Sequence, residues 1–279
     1  MNLESETAIW RYLDLAKYVG LLSRGLFFAL PSALRHVDPW EGSWGELDFI
    51  ESLDTTVHAS LDGVAQWQAA LQIRYEKQDH FGISCWHESS TESAALWQLY
   101  APRGLGVAVK SSRAKVQAAL GNRTVEIRRI DYQGHKDRRL GDDPLVLLST
   151  KRPEFQHERE VRFIAALALD ERTVLTSFYT DIENHGTFRH IKPGNKAPLI
   201  TAGHAFSVHD STCLDRGAPA GMHLPTNVST LIDRVYLAPA CTYSLRRAVI
   251  DVTERFGLDC KVIAEANFDL APFDRVKFV

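Results

Sequence analysis

The chain of 279 residues balances 32 basic against 35 acidic side chains for a net charge of −3, with 45% hydrophobic and 24% charged residues. This composition excludes a disordered chain, gives no global field to draw it to nucleic acid or a membrane, and allows a sizeable core. Cys85, Cys213, Cys241 and Cys260 are far apart, which argues against a disulfide framework or a zinc ribbon and for a reducing, cytoplasmic setting. The acid-bearing start "MNLESETAIWRYLD" does not read as a secretory leader. No run approaches the roughly eighteen apolar residues of a membrane span.

In chain order, "LDLAKYVGLLSRG" predicts a helix stopped by Gly25, followed by a short buried strand "LFFAL". "DPWEGSWGEL" predicts a turn-rich loop, and a helix is expected around residues 57–77, with Trp67 in it. "FGISCWHE" predicts a strand that leads into a helix over "STESAALWQLYA", capped by Ser90 or Thr91. A strand "GLGVAVK", a helix "SSRAKVQAALG" and an alternating strand "TVEIRRIDY" follow. "PLVLLSTKRPEF" predicts a helix up to Arg152, because Pro153 disfavours α conformation before it. "VRFIAALAL" then reads as a buried strand. Residues 170–225, rich in His, Gly, Pro, Asp and Thr, read as a loop-rich insert or lid. The end returns to order: helix then strand in "STLIDRVYLAPA", a helix in "YSLRRAVIDVTERFGL", a strand in "DCKVIAEAN". The expectation is one domain over 1–279, α+β, with mixed, mostly antiparallel small sheets and flanking helices. "GLGVAV" precedes a strand rather than a helix, the wrong context for a dinucleotide loop.

Three clusters carry the chemistry. In "KRPEFQHEREVR", an extended chain over 158–162 would put Glu158, Glu160 and Arg162 on one face. Two carboxylates about 7 Å apart repel. Arg162 or Lys151 would offset that repulsion, and a carboxylate so held can stabilise an oxocarbenium-like state. The alternative is a plain charge ladder at the surface. In "SCWHESSTESAALWQLY", Ala94, Trp97 and Leu96 or Tyr100 make an apolar helix face, Glu92 suits the first turn, and Ser84 stands near Trp86. This reads either as a core helix or as an aromatic platform with one hydroxyl. In "WRY", the forked guanidinium of Arg11 suits a pyrophosphate, or simply an exposed face. His185, His190, His204, His209, Cys213 and His223 lack tight metal-ligand pairing, so no metal site is expected. Cys85 and His87 are not favoured as a nucleophile pair, and GxSxG and P-loop motifs are missing.

Taken together, "WRYLD", "LFFALPSALRHVDPWEG", "SCWHESSTESAALWQLYAPRGLGVAV", "KRPEFQHEREVR" and "VYLAPA" resemble, in order, the bacterial domain of unknown function family 2971. The likeness runs from about residue 10 to 272, with Trp40 where the family carries Phe. It implies a toxin or phage-defence setting and no defined activity. Arg11, Ser84 and Glu158-Arg159-Glu160 also resemble, in order and context, the ADP-ribosyltransferases of the arginine–serine–glutamate class. That resemblance implies an ADP-ribosyltransferase-like fold and NAD as substrate, with no metal. Arg11 would hold the NAD pyrophosphate or ribose, Ser84 would orient the nicotinamide ribose, and Tyr12, Trp86 or Tyr100 would stack on nicotinamide. Glu160 would stabilise the oxocarbenium-like state and Glu158 would position or deprotonate an unknown acceptor. Glu92, Trp97, Lys151 and Arg162 would support them. Two competing readings remain: a non-catalytic ligand- or partner-binding module of a defence system, and a metal-dependent nuclease or phosphodiesterase using Glu158, Glu160 and Asp131.

Overall fold

The computed structural model describes residues 7–57, 75, 77–136, 138–167, 221–259 and 262–266. The expected helix around Trp67 and nearly all of the 170–225 insert, including His185, His190, His204, His209 and Cys213, lie outside the described residues.

The chain opens with strand β1 (Ala8–Asp14), helix α1 (Leu15–Arg24) and strand β2 (Leu26–Ala29). The Asp14 carboxylate accepts the Lys17 backbone N–H at 2.7 Å and starts α1. Gly25 ends it with φ 94°, a left-handed backbone that favours glycine. Helices α2 (Pro31–Leu34) and α3 (Glu46–Val57) precede strand β3 (Phe81–Glu88), which matches "FGISCWHE" residue for residue. Helix α4 (Ala94–Tyr100), strand β4 (Gly106–Ser112), helix α5 (Arg113–Ala119) and strands β5 (Val125–Arg129) and β6 (Asp131–Tyr132) follow. Then come helix α6 (Pro144–Leu147), strand β7 (Thr150–Lys151), a 3₁₀ turn (Pro153–Glu158) and strand β8 (Glu160–Ala166). The last described elements are strands β9 (Gly221–Leu224), β10 (Arg234–Leu237) and β11 (Ile263–Glu265), with helices α7 (Val228–Leu231) and α8 (Tyr243–Arg255). Strand β9 lies in the described part of the expected insert.

Two expectations need correction. The helix through Arg152 stops at Leu147, because the backbone after it finds strand partners: Thr150 and Lys151 pair with Asp131 and Tyr132. The Asp131 N–H donates to the Ser149 carbonyl at 2.8 Å and Gln133 N–H to the Lys151 carbonyl at 3.0 Å. The cap of α4 is Ser93, not Ser90 or Thr91. Its hydroxyl accepts from Leu96 N–H at 3.4 Å, and its own N–H is held by the Tyr12 hydroxyl at 2.7 Å.

A mixed, mostly antiparallel sheet of nine strands runs β11-β10-β4-β1-β3-β2-β9, with β8 on the remaining edge of β3 and β5 beyond β8. Strand β3 is the branch point. Strand β8 covers one of its edges from Phe81 to His87. The other edge is shared: β1 pairs at Glu88 and His87, and β2 pairs at Ile83. A seam therefore separates β1 from β2. One face of the sheet carries the main core, built from Ile9, Leu13, Trp86, Val107, Val109, Val161 and Phe163 with α1, α5 and α8. The opposite face carries Trp10, Tyr12, Ala108 and Tyr236 under α4. Farther along that face, Ile83 and Ile164 pack with Leu148.

A Cβ at Gly25 would stand 2.2 Å from the Leu224 carbonyl oxygen, in addition to the strain of the positive φ. Gly25→Ala is expected to lower stability by about 2 kcal/mol or more, read as a shifted urea midpoint at unchanged slope.

Candidate functional site

Period-two alternation along β3 decides which candidate residues meet. Antiparallel partners lie on the same face, so His87 sits with Trp10 of β1 and Glu160 of β8, and Cys85 with Arg162. Ser84 instead sits with Phe163, and Trp86 with Val161. Glu160, Arg162, Tyr12, His87 and Cys85 thus share one face, whereas Arg11, Ser84 and Trp86 belong to the other. The single cleft expected from Arg11, Ser84 and Glu160 is divided by the sheet itself.

On the first face the centre is Arg162, only 1% exposed. Its Nη1 donates to Glu41 Oε1 at 2.5 Å and to the Leu148 carbonyl at 2.6 Å. Its Nη2 reaches Glu41 Oε2 at 3.0 Å and Glu160 Oε2 at 3.3 Å, and its Nε reaches Glu160 Oε1 at 2.8 Å. Lys151 Nζ joins Glu158 at 2.5 Å and Glu160 at 3.2 Å. Burial opposes charge on Glu160, but the Arg162 guanidinium and Lys151 ammonium outweigh it and hold the carboxyl at about 2. Burial likewise opposes the Lys151 charge, and Glu160 with Glu158 raises its pKa overall.

Glu158 reaches this cluster by a different route from the one expected. It ends the 3₁₀ turn rather than standing in the strand, and Arg159 after it takes a left-handed backbone, φ 42° and ψ 52°. That turn brings the Glu158 carboxylate back onto Lys151. Tyr100, 46% exposed, is the open aromatic ring beside the group. Burial and then the Glu158 charge push its phenol pKa up.

Tyr12, Trp97 and Glu92 lie alongside but serve the packing of α4. The Tyr12 hydroxyl accepts from Ser93 N–H, its ring meets Trp97 edge-on at 4.9 Å, and the Trp97 indole N–H donates to Glu92 Oε2 at 3.1 Å. Tyr12 is buried, and its phenol pKa is pushed up to about 12, first by burial. It offers no free platform for a ring.

On the other face Arg11 Nη1 donates to Ser84 Oγ at 2.6 Å and Nη2 to the Phe27 carbonyl at 3.0 Å, across the β1–β2 seam. The Trp86 indole N–H donates to the same Ser84 oxygen at 3.0 Å, and the Arg11 guanidinium carbon lies 5.8 Å from the Trp86 ring centroid. Arg11 and Ser84 therefore meet each other, but on the face away from Glu160.

Sequence reasoning set Cys85 and His87 aside as a nucleophile pair and passed over Glu41 and Tyr132. Cys85 and His87 stand two apart in a strand, so they share a face after all. Burial and then Glu160 raise the Cys85 thiol well above its ordinary value, which disfavours a thiolate nucleophile. His87 Nδ1 lies 2.6 Å from the Glu158 carbonyl, which leaves Nε2 unprotonated in the neutral ring. Burial lowers the His87 pKa, although that carbonyl works the other way. The Tyr132 hydroxyl accepts the Glu160 N–H at 2.7 Å. The i, i+2 spacing could have exposed the first pair, but nothing local points Glu41 at Arg162.

Two outcomes test this network. Glu41→Gln leaves Arg162 buried against one carboxylate and is expected to cost about 3–5 kcal/mol in chemical denaturation. The folded pKa of Glu160 is depressed, so its contribution is present above the ordinary carboxylate range and is lost as pH falls through that range towards about 2. Acid titrations followed by circular dichroism should therefore show a shallower loss of stability in Glu160→Gln than in wild type over that window.

No family model, curated protein or solved structure matches this chain.

Proposed function

We propose that the Glu158–Glu160 face binds NAD and breaks its nicotinamide–ribose bond, passing ADP-ribose to an acceptor or to water. The observation that carries this reading is the charge of the cluster. Glu41, Glu158 and Glu160 are three carboxylates around two cations, Lys151 and Arg162, so one formal negative charge remains beside the open Tyr100 ring. Such a place favours the positively charged nicotinamide ring and, after it, an oxocarbenium-like ribose. The C1′–N bond breaks with its electron pair leaving on nicotinamide. Glu160, held as an anion, stabilises the cationic sugar. The acceptor attacks C1′ and gives its proton to Glu158.

The resemblance to the arginine–serine–glutamate transferases supports this in part. The strands that carry Arg11, Ser84 and Glu160 are consecutive neighbours, β1-β3-β8, which suits an ADP-ribosyltransferase-like fold. The side-chain directions require a change: on this reading Arg11 and Ser84 do not touch the reacting ribose, and Tyr100 is the ring that stacks. The family 2971 likeness adds a bacterial toxin or defence setting.

One observation favours a second reading, the non-catalytic binding module. Both oxygens of Glu160 are already engaged by Arg162 and Lys151, as in a purely architectural ion network. The nuclease reading is weaker, because those cations stand where a metal would need the same oxygens.

Purified wild type is expected to release nicotinamide from NAD without added metal. Glu160→Gln should slow that release about a hundredfold or more. Glu158→Gln should slow transfer by a similar factor of about a hundred while sparing NAD binding. Chromatographic nicotinamide release, with calorimetry for binding and circular dichroism for folding, reads all three. A folded wild type that neither binds nor cleaves NAD, with candidate acceptors supplied, would overturn the transferase reading and favour the binding module.

A further inference from the structure

The ladder between β3 and β8 ends at the pair His87–Glu160. Just before that pair the chain makes the Glu158–Arg159 turn, and hydrogen bonds hold the turn on both sides. The Arg159 N–H donates to the Gln156 carbonyl at 3.1 Å, and the Arg159 carbonyl accepts from Glu88 N–H at 2.9 Å. The Glu160 carbonyl accepts from Ile130 N–H at 3.0 Å, and the Glu160 N–H donates to the Tyr132 hydroxyl. The Glu158 carbonyl is held by a side chain, His87, whose Nδ1–H donates to it at 2.6 Å. A left-handed backbone such as that of Arg159 is disfavoured for a residue with a Cβ, so the turn persists only while its partners hold it. The imidazole is itself buried, with its centroid 6.4 Å from that of the Tyr12 ring, and the Tyr12 hydroxyl is fixed in turn by Ser93 N–H.

We propose that His87 is a positioning residue for Glu158: by fixing the Glu158 carbonyl it sets where the carboxylate that takes the acceptor's proton stands. The inference rests on the NAD reading and adds to it the group that orders its proton acceptor. When water is the acceptor, its oxygen bonds to C1′, nicotinamide leaves with the C1′–N electron pair, and the water proton passes to Glu158. That step needs the carboxylate within hydrogen-bond reach of the attacking oxygen, and a displacement of about 1 Å is enough to impair it. Without the His87 bond, Arg159 is free to relax to a negative φ, and the Glu158 carboxylate turns with the peptide, away from Lys151. Glu160 does not follow, because Arg162 and Lys151 engage both of its oxygens and the ladder holds its backbone. His87 therefore acts on the proton-accepting half of the reaction, and not on NAD binding or on the stabilisation of the ribose cation. This role needs no contact between His87 and the substrate.

The test follows ADP-ribose formed from NAD in water by the whole chain, with calorimetry for NAD binding and circular dichroism for folding. His87→Leu is expected to slow turnover about tenfold or more and to leave the NAD dissociation constant within about twofold. His87→Asn should restore turnover to within about threefold of wild type, because its amide N–H stands where Nδ1–H stood. His87→Gln, whose amide lies one methylene farther out, should not. If His87→Leu fails to fold, the Asn and Gln variants carry the same contrast with a polar side chain in each. Arg159→Gly, which accepts a left-handed backbone without a Cβ, should recover most of the turnover lost in His87→Leu. Added to Glu158→Gln, His87→Leu should slow turnover by less than about twofold more, since it acts through Glu158. His157→Gln, an exposed change in the same 3₁₀ turn, should leave turnover unchanged. Wild-type turnover in folded His87→Leu, equal turnover in the Asn and Gln variants, or full multiplication of the two losses in the double variant would overturn this role alone. A wild type that does not cleave NAD would overturn the NAD reading and this role with it.

Discussion

The alternation of side chains along β3 is the constraint from which the other arrangements follow. This strand has neighbours on both edges, so each of its residues must commit to one face of the sheet. Ser84 and Trp86 face the main core and meet Arg11 there. Cys85 and His87 face the other way and meet Arg162, Glu160 and the packing of α4. Because β8 covers one edge while β1 and β2 divide the other, the strand also creates the seam that Arg11 bridges. Two polar centres arise from one strand, back to back, through geometry alone.

The Arg162 network shows what holding charge inside a sheet demands. A guanidinium at 1% exposure has lost nearly all of its hydration, a penalty that one ion pair seldom recovers. Here two carboxylates and a backbone carbonyl surround it, in the forked geometry that arginine offers and lysine does not. Glu41 arrives from the loop before α3 and Glu160 from the head of β8. The network therefore joins segments more than a hundred residues apart in sequence. Lys151 extends it outwards to Glu158 and the exposed Tyr100, so the buried part supports a polar surface that solvent can reach. Rigidity behind and access in front are the arrangement a reacting or binding surface requires.

Local signals in the chain were sufficient where backbone chemistry acts over a few residues. Gly25 ends α1 as read, and "FGISCWHE" is β3 to the residue. They failed where a long-range partner competes. Thr150 and Lys151 left the expected helix for a pairing with β6, and Tyr12 moved the cap of α4 to Ser93. In the candidate site, Lys151, Glu158, Glu160 and Arg162 could be found as a dense polar motif beside a buried strand. The third acid, Glu41, could not, since it lies 121 positions from Arg162.

The sequence by itself determined which strands and helices form at their clearest signals, and that "KRPEFQHEREVR" holds carboxylates and cations within reach of one another. Periodicity, caps and stop residues are short-range properties, written in consecutive letters. Only the tertiary structure decided that Arg11 and Ser84 stand behind the sheet from Glu160. The face on which a side chain emerges from a central strand is relative. It acquires meaning only when register with β1 and β8 is set, and register is settled by the burial of Trp86, Val161 and Phe163 together on one side.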